Sequence, residues 1–502
     1  MSNQGFMDQG ERVLSGFWSG MVKYGLAAAI VFFYITTILH FPYTPDDTYI
    51  YLQYAKNIAN GDGFSFNTGM PSLGVPSPLW TFLISAGSFL RLDPYIVAKT
   101  FDLVFASLSI IQVFILGFVI LRNKVFAVIA AILFSFDAWF LRWSGTGMET
   151  SLAILLTILV ISYAYRNEYL VAAFVCAVLT LVRPEGILLF LVVQADNFLN
   201  STDSKPVVRS FIASVGIYVG VLTPWLIFSY FHFGTVIPNT LAAKTGSGFS
   251  LPGVWETLLD SLQVVAATQL IPSLLLIVGV VEAWRSKQWA ARRVELFPLV
   301  WIAALFGGYA LENVQVVSRY LLPTIPLVII YGMWGLKQIV ESWGLPIHGG
   351  FQVAVFIALL TVFQSQVVYQ KQMVPHMKNF TAGMNSCLKP IAYWLRSNAG
   401  PDATVLTSDA GMLGYVSDKN FYDAAGLITP NLKRSFDGVT YDEGMVRKQY
   451  ESVVRPDYIV DHSEFRERLK SESVRPVMSI EFPGWAISKT DTVFYTLYKV
   501  SK

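Results

Sequence analysis

Apolar residues run in blocks too long for the interior of a small soluble domain. The first, Val22–Leu39, is followed by recurrent apolar stretches separated by short polar turns. Stretches of about 17 to 25 residues suit helices crossing about 30 Å of hydrocarbon, and counting them predicts about eleven spans. No small-residue cleavage site precedes His40, so the first stretch reads as a retained anchor.

Between the first two spans the pattern shortens. Apolar or aromatic side chains at Tyr51, Tyr54, Ala55 and Ile58 recur with helical spacing, while Lys56, Asn57 and Asn60 face elsewhere, which predicts an amphipathic helix lying in the interface. Thr44 reads as its N-cap, Pro45 as its first residue, and Asp46 and Asp47 as acids complementing its dipole. Residues 76–92, opening on Pro76-Ser77-Pro78, read as a helix lying in or partly entering the outer leaflet, not as a crossing. After the last span, polar residues become frequent. Short alternations at Thr404–Thr407, 457–460 and Val493–Val500 predict strands of a small extracytoplasmic α/β domain, with Gly400-Pro401-Asp402 and Asp409-Ala410-Gly411 as turns. The expected division is a transmembrane body over 1–372 and an outer domain over 373–502.

Composition agrees with a polytopic α-helical membrane protein: 54% of residues are hydrophobic, 14% are charged, and the mean hydropathy is +0.50. The net charge of +2, from 36 basic and 34 acidic residues, gives no reason to expect a nucleic-acid partner. Its distribution says more. With Arg12 and Lys23 inside, the cytoplasmic turns hold Arg122-Asn123-Lys124, Arg166, Lys205, Arg209, Arg285, Arg293 and Lys337. The opposite face then receives Asp46, Asp47, Glu149, Arg183, Glu185, Asn239, Lys244, Arg319 and Tyr320. Treating 76–92 as a crossing would send Glu149 and Arg183 inward and Arg122 and Lys124 outward, against the charge bias. Cys176 and Cys387 lie at depths that disfavour a disulfide.

Ionisable groups near hydrocarbon are costly unless they are paired or used. Asp46 and Asp47 sit where the first span ends, and a helix N-terminus would keep them ionised as a general base requires; Asp46 is the first candidate. Arg183 interrupts an apolar segment and Arg319 opens one, so both need an anion. Glu149 or Glu185 could pair with Arg183 and Glu312 with Arg319, or a bound phosphate could serve. Lys244, on a long outer loop, could join that phosphate site or be solvated. Glu149 either compensates a helix dipole or supplies a second acid. Phe32, Phe33, Tyr34, Phe41 and Tyr43 read as an aromatic interface belt, with His40 among them.

The strings Thr44-Pro45-Asp46-Asp47-Thr48-Tyr49-Ile50-Tyr51, Gly147-Met148-Glu149-Thr150, Arg183-Pro184-Glu185-Gly186, Pro238-Asn239-Thr240 with Lys244, Ser318-Arg319-Tyr320-Leu321-Leu322-Pro323 and Asp409-Ala410-Gly411-Met412-Leu413-Gly414-Tyr415 extend over most of the chain. Their order and spacing resemble the GT-C glycosyltransferase superfamily. Within it the likeness is to the protein mannosyltransferase and aminoarabinose transferase branch, and most closely to the mycobacterial terminal β-(1→2)-arabinofuranosyltransferase family. The resemblance implies a multi-pass plasma-membrane enzyme with a long first outer loop and interfacial helices. Its donor would be a polyprenyl-phosphate sugar, its acceptor a hydroxyl of a glycan, lipid or protein, and its outcome inversion, with arabinofuranosyl as one sugar it suggests. Carried onto this sequence, Asp46 would be the base and Asp47 would orient it or stabilise positive charge developing on the sugar. Arg319, Arg183 and Lys244 would hold the leaving phosphate, and Glu149, Glu185, Asn239 and Tyr320 would line the substrate site. The outer domain would hold the acceptor. No cofactor is required; a divalent cation beside the acidic pair is left open, since some members of the superfamily hold one, although the sequence offers no His or Cys cage.

A secondary transporter or flippase is the competing reading, because charged groups near helix breaks also mark translocation sites. The absence of an evident internal repeat counts against it. A lipid-linked oligosaccharide ligase is an intermediate reading.

Overall fold

The structure is a computed structural model that describes residues 3–200, 204–240, 250–285, 296–344, 347–436, 438–484 and 493–501. Helix α1 (Asn3–Leu39) leads to α2 (Asp46–Asn60), a short hairpin of β1 (Ser65–Asn67) and β2 (Met70–Pro71), and α3 (Pro78–Phe89). The body continues through α4 (Pro94–Leu121), α5 (Lys124–Ser135), α6 (Ala138–Trp143), α7 (Thr150–Tyr165), α8 (Tyr169–Val182), α9 (Gly186–Asn200), α10 (Ser204–Phe233), α11 (Leu251–Arg285), α12 (Phe297–Leu311), α13 (Ser318–Leu321), α14 (Ile325–Ser342) and α15 (Ile347–Val368). Among the described residues, six helical stretches are long and apolar enough to cross a membrane: Val22–Leu39, Pro94–Leu121, Val207–Phe233, Leu251–Arg285, Ser318–Ser342 and Gly349–Asn398. Five shorter apolar helices, α5, α7, α8, α9 and α12, stand among them.

Where the solvent is lipid, apolar side chains can face outward. On α10, Ile212, Val219 and Ile227 form an exposed stripe at sevenfold and eightfold spacing. Close packing inside the body relies instead on small residues. On α14, a β-carbon at Gly332 would stand 2.6 Å from the Pro272 carbonyl oxygen, and one at Gly335 would stand 2.0 Å from that of Leu275, so α11 and α14 meet backbone to backbone.

Beyond α15 the helix runs on through a π-helical turn (Tyr369–Met373), α16 (Val374–Gly383), a second π turn (Met384–Leu388) and α17 (Lys389–Asn398). A five-stranded mixed sheet follows in the order β4-β3-β5-β7-β6. The expected strands are present as β3 (Thr404–Thr407), β5 (Tyr458–Ser463) and β7 (Val493–Val500); β4 (Asn420–Asp423) and β6 (Val474–Phe482) were not expected. β3 runs parallel to β4 and β5, and β7 is antiparallel to β5 and β6. The expected turn at Asp409 instead opens α18 (Ala410–Ser417).

Two local expectations fail at α2. The helix starts at Asp46, with Pro45 at the N-cap position and no side-chain cap, because the Thr44 hydroxyl turns to the Pro42 carbonyl (3.3 Å) and the Tyr95 hydroxyl (3.2 Å). Nor does α2 present one polar face to solvent. Gln53 and Asn57 are buried with Tyr51, Tyr54 and Ala55, because α2 is sandwiched between α3 and α18. Its inward amides are satisfied by the hairpin: Asn57 Nδ2 donates to the carbonyls of Ser65 (2.9 Å) and Phe66 (2.8 Å).

Candidate active site

The loops that carry the acidic pair and Glu149 are fixed from below by α4. Lys99, fully buried, donates from Nζ to the carbonyls of Phe41 (2.5 Å), Tyr43 (2.9 Å) and Gly145 (2.9 Å). One turn later the Asp102 carboxylate accepts from the Gly147 backbone N–H (3.0 Å), the Thr146 hydroxyl (3.4 Å) and the Ser151 hydroxyl. The Thr48 hydroxyl adds a bond to the Thr146 carbonyl (3.1 Å), tying α2 to the same loop. The sequence reading passed over Lys99 and Asp102. Their signal was available: two ionisable residues three apart inside an apolar run place their side chains on one helix face.

Successive helix residues point about 100° apart, so Asp46 and Asp47 cannot share one direction. Asp47 reaches into the membrane body and forms an ion pair with Arg319 Nη2. Asp46 turns to the C-terminal domain, where its two oxygens accept the backbone N–H groups of Gly411 (2.9 Å) and Met412 (2.8 Å) at the start of α18. Glycine is required at 411, since a β-carbon there would stand 2.1 Å from the Asp46 carbonyl oxygen. Burial, with the Asp409 carboxylate close by, pushes Asp46 up to about 7 despite these two donors. The expectation of a firmly ionised Asp46 is therefore corrected: desolvation outweighs the helix dipole.

Arg319 pairs with Asp47 and not with Glu312. Arg183 pairs with Glu149, Nη2 to Oε1 at 2.9 Å, while Glu185 accepts the Tyr309 hydroxyl at 2.8 Å. The Tyr320 ring lies between the two guanidinium groups, 5.6 Å from Arg183 and 5.4 Å from Arg319, so the two ion pairs are neighbours. The Tyr51 hydroxyl is buried among them, and burial together with the Glu149 charge pushes it well above its usual 10.0. Arg319 Nη1 meets only the Met148 Sδ (3.7 Å), a weak acceptor, leaving donor capacity for an anion. Asn239 sits apart from the charges as a latch: its N–H donates to the Leu73 carbonyl (3.0 Å) and its amide to that of Leu427 (2.9 Å). Lys244 lies outside the described residues.

Asp46 is held by two amide donors with lone pairs to spare, while Asp47 faces a guanidinium whose charge opposes a divalent cation beside it. Among the described residues no three His, Cys, Asp or Glu side chains converge as metal ligands.

Behind Asp46 the C-terminal domain carries a second polar cluster. His462 Nδ1 stands 2.9 Å from Asp409 Oδ2, and the Ser408 hydroxyl bonds to both; the Tyr495 hydroxyl donates to Asp409 at 3.1 Å. Hydrogen bonding and the imidazolium charge hold Asp409 below its ordinary 3.8, and Asp409 raises His462 above 6.5. Next to His462, Asp461 accepts two bonds from Arg468, both at 2.7 Å. The C-terminal domain also grips the first loop directly: the Asn67 amide makes two 2.8 Å bonds with the Phe421 backbone, and Lys56 forms an ion pair with Asp418.

The fold is that of the GT-C glycosyltransferases. Over 95% of this chain and 98% of its own, ArnT from Cupriavidus metallidurans in the apo state superposes with a TM-score of 0.57 at 14% identity. ArnT bound to undecaprenyl phosphate gives 0.51 at 13% over the same shares. The Archaeoglobus fulgidus oligosaccharyltransferase tethered with an acceptor peptide gives 0.53 at 13%, covering 88% of this chain and 69% of that one. Arabinofuranosyltransferase AftD from Mycobacteria gives 0.50 at 15%, and its match spans 95% of this chain but 41% of AftD. Residues 368–498 match a family described as a domain of unknown function, DUF8728. No curated protein sequence matches the chain.

Proposed function

We propose that this protein is an inverting glycosyltransferase that moves a sugar from a polyprenyl-phosphate donor to an acceptor hydroxyl at the outer face of the plasma membrane, with arabinofuranosyl as the first sugar to try. The observation that carries the reading is the split of the acidic pair, with Asp47 on a buried guanidinium and Asp46 facing the C-terminal domain. Undecaprenyl phosphate in ArnT and the acceptor peptide in the oligosaccharyltransferase support a lipid-linked donor and a hydroxyl- or amide-bearing acceptor for the shared fold.

In this reading Asp46 takes the proton of the acceptor hydroxyl as that oxygen attacks the anomeric carbon. Its two N–H contacts occupy only part of its lone-pair capacity and fix its orientation. The bond to the phosphate oxygen breaks on the opposite side, and the charge that grows there falls to the arginines. Asp47 orients Arg319. The 1–372 segment supplies this machinery, and the 373–502 domain closes over Asp46 and presents the acceptor.

The test offers purified protein a panel of radiolabelled polyprenyl-phosphate sugars. Transfer on one donor is expected, with Asp46→Asn lowering kcat by about a hundredfold or more and Arg319→Ala by a similar factor, the size seen when one oxyanion donor is removed. Full turnover by Asp46→Asn on a working donor would remove it as the base. Donor-dependent uptake into vesicles without covalent transfer would favour a transporter.

A further inference from the structure

We propose that Arg142, a residue with no part in the site described so far, is an anchor for the monophosphate of the lipid donor. This inference rests on the polyprenyl-phosphate reading above. Arg142 is 7% exposed, near the end of the short helix α6, and among the described residues it has no carboxylate partner. The other buried cations among the described residues are neutralised or fully solvated by protein: Arg183 by Glu149, Arg319 by Asp47, Arg468 by Asp461, and Lys99 by three carbonyls. Arg142 has instead a methionine sulfur (Met373 Sδ, 3.5 Å) and a phenol (Tyr43 Oη, 3.3 Å), and its Nε has no hydrogen-bond partner.

A buried guanidinium without an anion carries an uncompensated desolvation cost, which a ligand bringing the missing charge would offset. The group is also held in place. Asp137 caps α6 through the Phe140 N–H (2.9 Å) and is fixed in turn by Gln269 (2.9 Å). The Trp143 indole lies beside both arginines, 5.0 Å from Arg142 and 5.2 Å from Arg319, and is itself oriented by a 2.8 Å bond to the Ser318 hydroxyl.

The surroundings suit a lipid monophosphate. The Tyr369 hydroxyl, buried and without a partner, lies on the π-helical turn that carries Met373, and such turns recur at functional sites. Beside it α1 ends with Ile38 and Leu39 exposed, an apolar surface along which a polyprenyl tail can lie. Arg183, already neutralised by Glu149, has less to offer a phosphate than Arg142.

The test uses the full-length protein in detergent and three probes: farnesyl phosphate, farnesol and inorganic phosphate, titrated by tryptophan fluorescence and checked by native mass spectrometry. Arg142→Gln should weaken farnesyl phosphate by about tenfold or more, leave farnesol unchanged and keep a wild-type melting temperature; Arg142→Lys, which keeps the charge but not the fork, should fall between. Wild-type affinity for farnesyl phosphate in Arg142→Gln overturns the assignment, as does an equal loss of farnesol binding. Inorganic phosphate binding as tightly as farnesyl phosphate overturns the lipid source. No farnesyl phosphate binding by the wild type overturns the donor reading itself, whereas loss in Arg319→Ala alone overturns only the role of Arg142.

Discussion

Asp46 and Asp47 adjoin in sequence and diverge in space, and their chemistry diverges with them. A base that titrates at about 7 is half ionised near neutrality, so kcat/KM for the acceptor should rise as pH increases and level off above that value. Asp409 contributes to the upward shift because its negative charge opposes ionisation of Asp46. Asp409→Asn should therefore move the inflection to lower pH, since it removes a like charge and leaves any His462 cation unneutralised. A pH profile that stays put in an active Asp409→Asn enzyme would break this electrostatic link. The sequence made Asp46, Asp47, Arg183 and Arg319 legible because ionised side chains stand out in apolar text. It could not assign their partners: Asp47 and Arg319 are far apart in the chain, and only the folded body decides that Arg319 meets Asp47 and not the nearer Glu312.

The elements show why an amphipathic reading of α2 falls short. Helical spacing of Tyr51, Tyr54 and Ala55 reports a buried face, but Gln53 and Asn57 are polar and equally buried because they complete the hydrogen bonds of a hairpin that no periodicity reveals. Similarly, β3, β5 and β7 were readable as short apolar runs, whereas β6 alternates with partly exposed positions and carries Pro476, which hides it. His462 on β5 and Asp409, just beyond β3, form a pair that makes the stability of the C-terminal domain depend on pH. His462, raised above 6.5, contributes stability that is complete below 6.5 and is lost as pH climbs through its folded value. Asp409, held below 3.8, contributes stability that is present above 3.8 and is lost as pH falls through its lowered value. Thermal unfolding should therefore show this pair's contribution at its largest between 3.8 and 6.5 and a decline on the alkaline side. His462→Gln should flatten that decline, and a variant that keeps the wild-type slope would assign the dependence to other groups.

At the scale of the whole molecule the argument turns on path parity. The charge bias keeps α3 from crossing, so the chain that leaves α1 on one face is expected to enter α4 on the same face. From there the turns alternate. Lys337 Nζ donates to the Leu121 carbonyl at 2.8 Å, which brings the end of α4 and the end of α14 together at one end of the body. The opposite end gathers the Asp47–Arg319 and Arg183–Glu149 pairs beside the C-terminal domain. The charge bias assigns the first end, with Arg122, Lys124 and Lys337, to the cytoplasm. Cys176 and Cys387 are free and buried, so introduced cysteines can be read against a quiet background. In intact cells a membrane-impermeant maleimide should label Ser397→Cys, exposed at the end of α17, and should reach Ser342→Cys, exposed at the end of α14, only after the membrane is opened. Reversed labelling would turn the molecule over and put the acidic pair in the cytoplasm, where the donor would have to be presented from the inner leaflet. Labelling of both positions from outside would break the alternating path itself, and with it the common face on which Asp46 and the buried arginines meet.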